Sequence, residues 1–137
     1  MKHQAFEHIE NALCGLTDFQ RATIKATCAR FTSAERDGGR ILVADEVGLG
    51  KTLIARGVIA TLLRQRLESG RLAPPFRIVY ICSNLALAHE NVKKLAVFRE
   101  KETEHWVSSP SFGRLAELGL AQKCAEDEVL MELCSLT

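Results

Sequence analysis

The sequence predicts an α/β protein of one domain, in which parallel strands are flanked by helices and further helices lead in at the N-terminus. Three observations predict this class: helical periodicity in the first third, a strand–glycine loop–helix segment, and an apolar run that follows it. The 137 residues, 47% of them hydrophobic, suffice to bury one core. We therefore expect one domain in three parts: a helical lead-in over 1–39, a strand–helix–strand core over 40–98 and a helical tail over 99–137.

The lead-in contains two predicted helices. The first ends near Gly15, because apolar residues precede it at helical spacing: Phe6, Ile9 and Leu13. The second starts with a T-x-x-Q capping box, in which Thr17 accepts the backbone N–H of Gln20 and the Gln20 side chain reaches back. Gln20 thus has a capping role available from local sequence alone.

A predicted strand over 40–44 runs into a glycine-rich loop that ends in Lys51-Thr52 and opens a helix. Gly48 and Gly50 let the backbone approach a polyphosphate closely, and the first N–H groups of the helix point at it. Lys51 can reach the outer phosphates, and the Thr52 hydroxyl is placed to bind Mg²⁺. This order of strand, loop and helix is typical of a phosphate-binding loop.

The helix that follows runs from Lys51 to about Glu68, with Gly70 suited to its C-terminal cap. The nearly continuous apolar run at 76–82 is typical of a strand covered on both faces, as in parallel sheets. Strand, loop, helix and strand together predict one right-handed βαβ unit.

Ser83-Asn84 is predicted to cap a further helix just past the carboxyl end of that strand, where ligands bind in open α/β sheets. Beyond it, 99–104 reads as a solvated helix end and 108–111 as a loop. Two short amphipathic helices are predicted after the loop, the first around Leu115 and Leu118, the second around Val129, Leu130 and Leu133.

The composition of the chain excludes few classes of function. The net charge of +1 argues neither for nor against nucleic acid. The five cysteines form no C-x-x-C pair and lack ligand spacing to the four histidines, so we expect reduced core cysteines in a cytoplasmic protein. No stretch is long and apolar enough to predict a membrane span.

The loop also carries a family resemblance. Residues 45–52, which read D-E-V-G-L-G-K-T, resemble motif I of superfamily-two helicases and are closest to the Swi/Snf-like branch, whose loop reads D-E-x-G-L-G-K-T. Asp45, which departs from the strict phosphate-loop pattern, belongs to that branch's own signature. Residues 16–20 (L-T-D-F-Q) are similar to the family's L-x-x-[FY]-Q element, and 81–85 lie where motif Ia is found.

The resemblance implies a partial P-loop (RecA-like) lobe that binds ATP and Mg²⁺. It assigns the adenine edge to Gln20, Mg²⁺ to Thr52, and a nucleic-acid contact, with double-stranded DNA as the expected partner, to Ser83 and Asn84. The residues expected to hold the nucleotide are Gln20, Glu46, Val47, Gly48, Leu49, Gly50, Lys51 and Thr52.

ATP hydrolysis in the family also needs an apolar strand that ends in Asp-Glu and a second motor lobe with arginine fingers. The late acidic cluster at 126–128 precedes its apolar neighbours, which places it in the first turn of a predicted helix. We therefore expect an ATP-binding segment of a helicase-type ATPase that is inactive alone and needs the second lobe in trans. The alternatives are a non-hydrolysing nucleotide-binding regulatory module and a degenerate remnant. The loop sequence D-E-V-G-L-G-K-T argues against a third interpretation, a small P-loop kinase.

Overall fold

The computed structural model combines four helices with a small parallel sheet, which confirms the α/β class for the part of the chain it describes. The helices are α1 (Lys2–Leu13), α2 (Asp18–Thr32), α3 (Lys51–Glu68) and α4 (Leu85–Leu95). None of these helices is long and apolar enough to cross a bilayer. The structure describes residues 2–33, 39–44, 46, 48–71, 74–98, 103–112 and 129–136.

The helix ends follow the local sequence signals closely. Thr17 and Gln20 form the predicted reciprocal capping box at the start of α2. Gly70 has a φ of +74° just past α3, where its N–H donates to the Leu67 carbonyl at 3.1 Å, and the side chain of Asn84 caps α4. These predictions are confirmed because caps depend on residues three or four positions apart.

The sheet is built around a strand near the C-terminus. Strand β4 (Met131–Leu136) pairs in parallel with β1 (Phe76–Ile81) on one side. On its other side it pairs in parallel with two short strands, β2 (Val107–Ser108) and β3 (Ser111–Phe112). A short 3-10 turn, Glu104–Trp106, precedes β2.

The prediction of a helical tail is wrong where the structure describes it. Met131–Leu136 is a strand, and β2 and β3 overlap the two ends of the segment 108–111 that was predicted as a loop. Residues 129–136 include six apolar residues. This pattern fits a buried helix face and a buried strand equally well, and pairing with other strands decides between them. The predicted helix around Leu115 and Leu118 and the acidic cluster at 126–128 lie outside the described residues.

The predicted strand at 40–44 is also wrong. These residues form no strand, and the side chain of Leu42 is 87% exposed. A cleft of about 350 Å³ separates Val43 from Ile78 and Val79 of β1. Among the described residues, 40–44 pair with no strand, and the expected βαβ unit is not formed there.

Helix α3 lies at the centre of the packing. One cluster joins it to α2 through Ile24 and Cys28, which meet Ile54 and Val58. The larger cluster joins α3 to α1, α4 and the sheet, and it includes Ile9, Leu63, Leu95, Met131 and Leu133. The packing of α3 on both clusters therefore fixes the position of its first turn, which contains Lys51 and Thr52.

Strand β1 is covered on one face, whereas the sequence predicted cover on both. Phe76, Ile78 and Tyr80 pack against the larger cluster. On the opposite face Arg77 pairs with Glu132 at 2.6 Å, and Ile81 is 70% exposed. The sequence did not indicate this difference in burial between the two faces of β1, because both faces carry aliphatic residues.

Candidate nucleotide-binding site

The glycine-rich loop adopts backbone angles that only glycine tolerates easily. Gly48 and Gly50 have φ values of +91° and +82°, in the left-handed region. The loop closes on the carbonyl of Glu46, which accepts the N–H of Leu49 at 3.5 Å. The two glycines thus turn the chain sharply into α3, as the sequence predicted.

The N-terminus of α3 is electrostatically open to an anion. Gly50 is its N-cap, so no side-chain oxygen caps the helix, and its first turn contains no acidic residue. The partial positive charge of the helix dipole is therefore not neutralised by its own first turn. Of the described helices, α2 differs on both counts, because Thr17 caps it and Asp18 lies in its first turn.

Lys51 bends back over the loop that precedes it. Its Nζ donates a hydrogen bond to the Glu46 carbonyl oxygen at 2.8 Å, and the side chain is exposed. Thr52 follows directly and is half-buried. The ammonium group and the hydroxyl therefore lie at the same helix end, within the loop that the sequence analysis singled out.

Gln20 connects the start of α2 to this loop. Its Oε1 accepts the backbone N–H of Thr17 at 3.1 Å, and its Nε2 donates to the Leu49 carbonyl at 3.2 Å. The side chain is 8% exposed, and a Cβ on Gly50 would approach Nε2 to 2.7 Å. Gln20 is thus both a helix cap and a clasp on the loop, and sequence reasoning missed the second contact because it spans 29 positions.

An open cleft lies between the start of α2 and the loop. It has a volume of about 440 Å³, and Thr17, Phe19, Gln20, Gly48 and Leu49 line it. Phe19 is 51% exposed, so much of its ring is free to meet a ligand. Phe19 belongs to the L-x-x-[FY]-Q element of the sequence, but no ligand contact was predicted for it, although an aromatic side chain beside Gln20 indicates a surface for a flat ligand.

Ser83 and Asn84 lie at the start of α4 and are exposed. The Asn84 Oδ1 accepts the N–H of Leu87 at 3.0 Å, which confirms its predicted capping role. Neither residue lines the cleft beside Phe19. The structure therefore separates these two residues from the group around the glycine-rich loop.

The described residues contain no cluster of three or more histidine, cysteine or acidic side chains that would hold a metal ion by itself. Glu46 is exposed, and Val47 and Asp45 lie outside the described residues. In the described part of the loop, the Thr52 hydroxyl is the side-chain oxygen suited to Mg²⁺, and phosphate oxygens would supply further ligands.

Comparisons of the chain with protein-family models, with curated proteins and with solved structures gave no match. The likeness to motif I of the helicases therefore stands on the residues of the loop alone.

Proposed function

We propose that this chain is the ATP-binding segment of a DNA-dependent helicase- or translocase-type ATPase. One observation carries the proposal: the glycine-rich loop delivers Lys51 and Thr52 to an uncapped helix N-terminus without acidic residues. A polyphosphate is the ligand that such an arrangement favours, because backbone N–H groups, the helix dipole and an ammonium group all act on the same anion.

Lys51 is proposed to neutralise the outer phosphates. Its hydrogen bond to the Glu46 carbonyl is a neutral-acceptor contact, so exchange for a charged phosphate oxygen strengthens the interaction. Thr52, next in sequence, would hold Mg²⁺ through its hydroxyl, together with phosphate oxygens. When bound, the nucleotide and its ion would supply the phosphoanhydride that the complete ATPase cleaves.

The cleft beside Phe19 is proposed to take the adenine base. The exposed ring of Phe19 offers a stacking surface, and the Gln20 carboxamide carries both a donor and an acceptor, which match an adenine edge. Each end of that carboxamide has one protein partner, and the second N–H and the second acceptor lone pair remain for the base.

The nucleic-acid part of the proposal depends on Ser83 and Asn84. Both are exposed just past the carboxyl end of β1, at the start of α4. The family resemblance places a contact with the nucleic-acid backbone here, with double-stranded DNA as the proposed partner. A second motor lobe in trans would complete the ATPase.

The test is stabilisation of the chain by Mg-ATP. For a folded domain at ligand about 100-fold above its dissociation constant, binding adds ~2.7 kcal/mol to the free energy of unfolding. Lys51→Ala should abolish the rise in melting temperature, whereas Lys25→Ala, the same change at an exposed position of α2, should preserve it. An equal rise in both variants would contradict the role of Lys51, and no rise in the unmodified chain would contradict ATP binding by this segment.

A further inference from the structure

A third cleft lies between α4 and the strands β2, β3 and β4. It has a volume of about 590 Å³, within the range of small-molecule sites. Its lining divides into two parts. Val92, Phe98 and Val107 form an apolar part, and polar side chains form the other: His89, Lys93, Ser109, Ser111 and Ser135.

Ser135 is the most informative of these residues. It is only 3% exposed, it shares the inner face of β4 with Met131 and Leu133, and it lines the cleft. Its backbone N–H donates to the Pro110 carbonyl, but its hydroxyl has no hydrogen-bond partner among the described residues. Because Ser135 lines the cleft, this hydroxyl can donate to or accept from a polar group of a ligand there.

The polar lining contains one ammonium group, that of Lys93. Lys93 and His89 lie one turn apart on α4, and neither has a carboxylate partner among the described residues. The neighbouring Lys94, by contrast, pairs with Glu90 at 3.7 Å. No described carboxylate lines the cleft, so its electrostatic preference is for an anion.

We propose that this cleft binds a small phosphomonoester whose body is apolar. Three serine hydroxyls and an ammonium group line this cleft, and a phosphate group can accept hydrogen bonds from several of them through its oxygens. The apolar part of the lining receives the body of the ligand. Ser135 is nearly inaccessible, so a compact terminal phosphate reaches it more readily than the backbone of a nucleic acid does.

The test uses the full 137-residue chain with phenyl phosphate as the probe. Backbone amide resonances of Ser109, Ser111 and Ser135 should shift on titration in ¹H–¹⁵N spectra. Lys93→Ala and Ser135→Ala should each weaken binding about tenfold, the effect of losing a hydrogen bond to a charged group. Lys94→Ala, which removes the same charge from the adjacent position, should change the affinity by less than about twofold.

Lys51→Ala separates this site from the glycine-rich loop, because it should leave phenyl phosphate binding at Ser135 unchanged even if ATP does not bind. Equal weakening by Lys93→Ala and Lys94→Ala would overturn the proposal, as would the absence of shifts at the three serines. If a short DNA duplex shifts these three serine resonances and phenyl phosphate does not, the ligand of this cleft is a nucleic acid and not a small phosphomonoester. Because Lys93 is exposed, its variant remains informative even if Ser135→Ala destabilises the fold.

Discussion

At the scale of single residues, Gln20 shows how one side chain serves two elements. Its carboxamide accepts from the cap of α2 and donates to the glycine-rich loop. From the sequence, capping of helix α2 and recognition of adenine were competing roles for Gln20. The structure shows the cap and adds the contact with Leu49, while the adenine role stays a prediction.

Gln20→Glu separates these roles. Glu keeps the oxygen that accepts the Thr17 N–H but turns the donor at Leu49 into a second acceptor, so we expect the unliganded chain to lose about 1–3 kcal/mol of unfolding free energy. If Gln20 reads adenine, the same change weakens ATP far more than GTP. Calorimetric titration with both nucleotides measures this difference, with Gln65→Glu on the exposed face of α3 as the control. Equal losses for the two nucleotides would leave Gln20 with structural roles only.

The cysteines provide a pH-dependent prediction. Burial raises the pKa of Cys28 and of Cys134 above the ordinary value of 9.0, although a hydrogen bond with Thr61 partly opposes the shift at Cys28. As pH rises past that value, thiols of the unfolded chain lose protons before those of the folded chain. The contribution of these thiols to the free energy of unfolding should therefore be constant below about pH 8 and should fall as pH rises through about 9 to 10.

Urea unfolding at about pH 8 and about pH 10 measures this fall. Cys28→Ala should reduce the pH dependence, whereas Cys14→Ala, at an exposed position, should not. A pH dependence that is identical in both variants would mean that Cys28 ionises freely. The exposure of Cys14 also corrects the sequence-based expectation that the cysteines are core residues.

At the scale of elements, the contact between α2 and α3 depends on one glycine. Gly57 lies buried in α3, and a Cβ there would press on the end of the Ile24 side chain and come within 3.1 Å of Ile24 Cγ1. Ala in place of Gly favours a helix by about 1 kcal/mol, but overpacking a buried site costs about 1–3 kcal/mol. We expect Gly57→Ala to destabilise the chain, because Ile24 is 5% exposed and has little room to move.

A double-mutant cycle checks this packing. Ile24→Val removes the terminal methyl group that a Cβ at position 57 would meet. Gly57→Ala should therefore lower the unfolding free energy in the original chain and leave it unchanged or raised in the Ile24→Val background. Additive effects in denaturant unfolding would contradict the contact between these two residues.

At the scale of the whole molecule, we predict that this chain hydrolyses no ATP by itself. The described residues place no carboxylate cluster with Thr52, and arginine fingers alone contribute about 10³–10⁵ in rate in related nucleotide hydrolases. Phosphate release should equal that of Lys51→Ala, with or without single- or double-stranded DNA. DNA-stimulated release that disappears in Lys51→Ala would prove this wrong and would point to the acidic residues at 126–128.

The sequence alone determined the helices and their ends. The capping box of Thr17 and Gln20, the left-handed Gly50 before Lys51 and the cap at Gly70 all depend on neighbours within a few positions. The chemistry of the candidate loop was readable for the same reason, because glycines, lysine and threonine act there in consecutive positions.

Only the tertiary structure decided which apolar runs become strands. Residues 40–44 look like a strand yet pair with none of the strands that the structure describes, while Met131–Leu136 forms the central strand of the sheet. The contact of Gln20 with Leu49 and the presence of Lys93 and Ser135 in one cleft could not be predicted from the sequence either. A helix satisfies its backbone hydrogen bonds within itself, whereas a strand, a clasp and a cleft need groups that are distant in sequence, and folding alone brings those groups together.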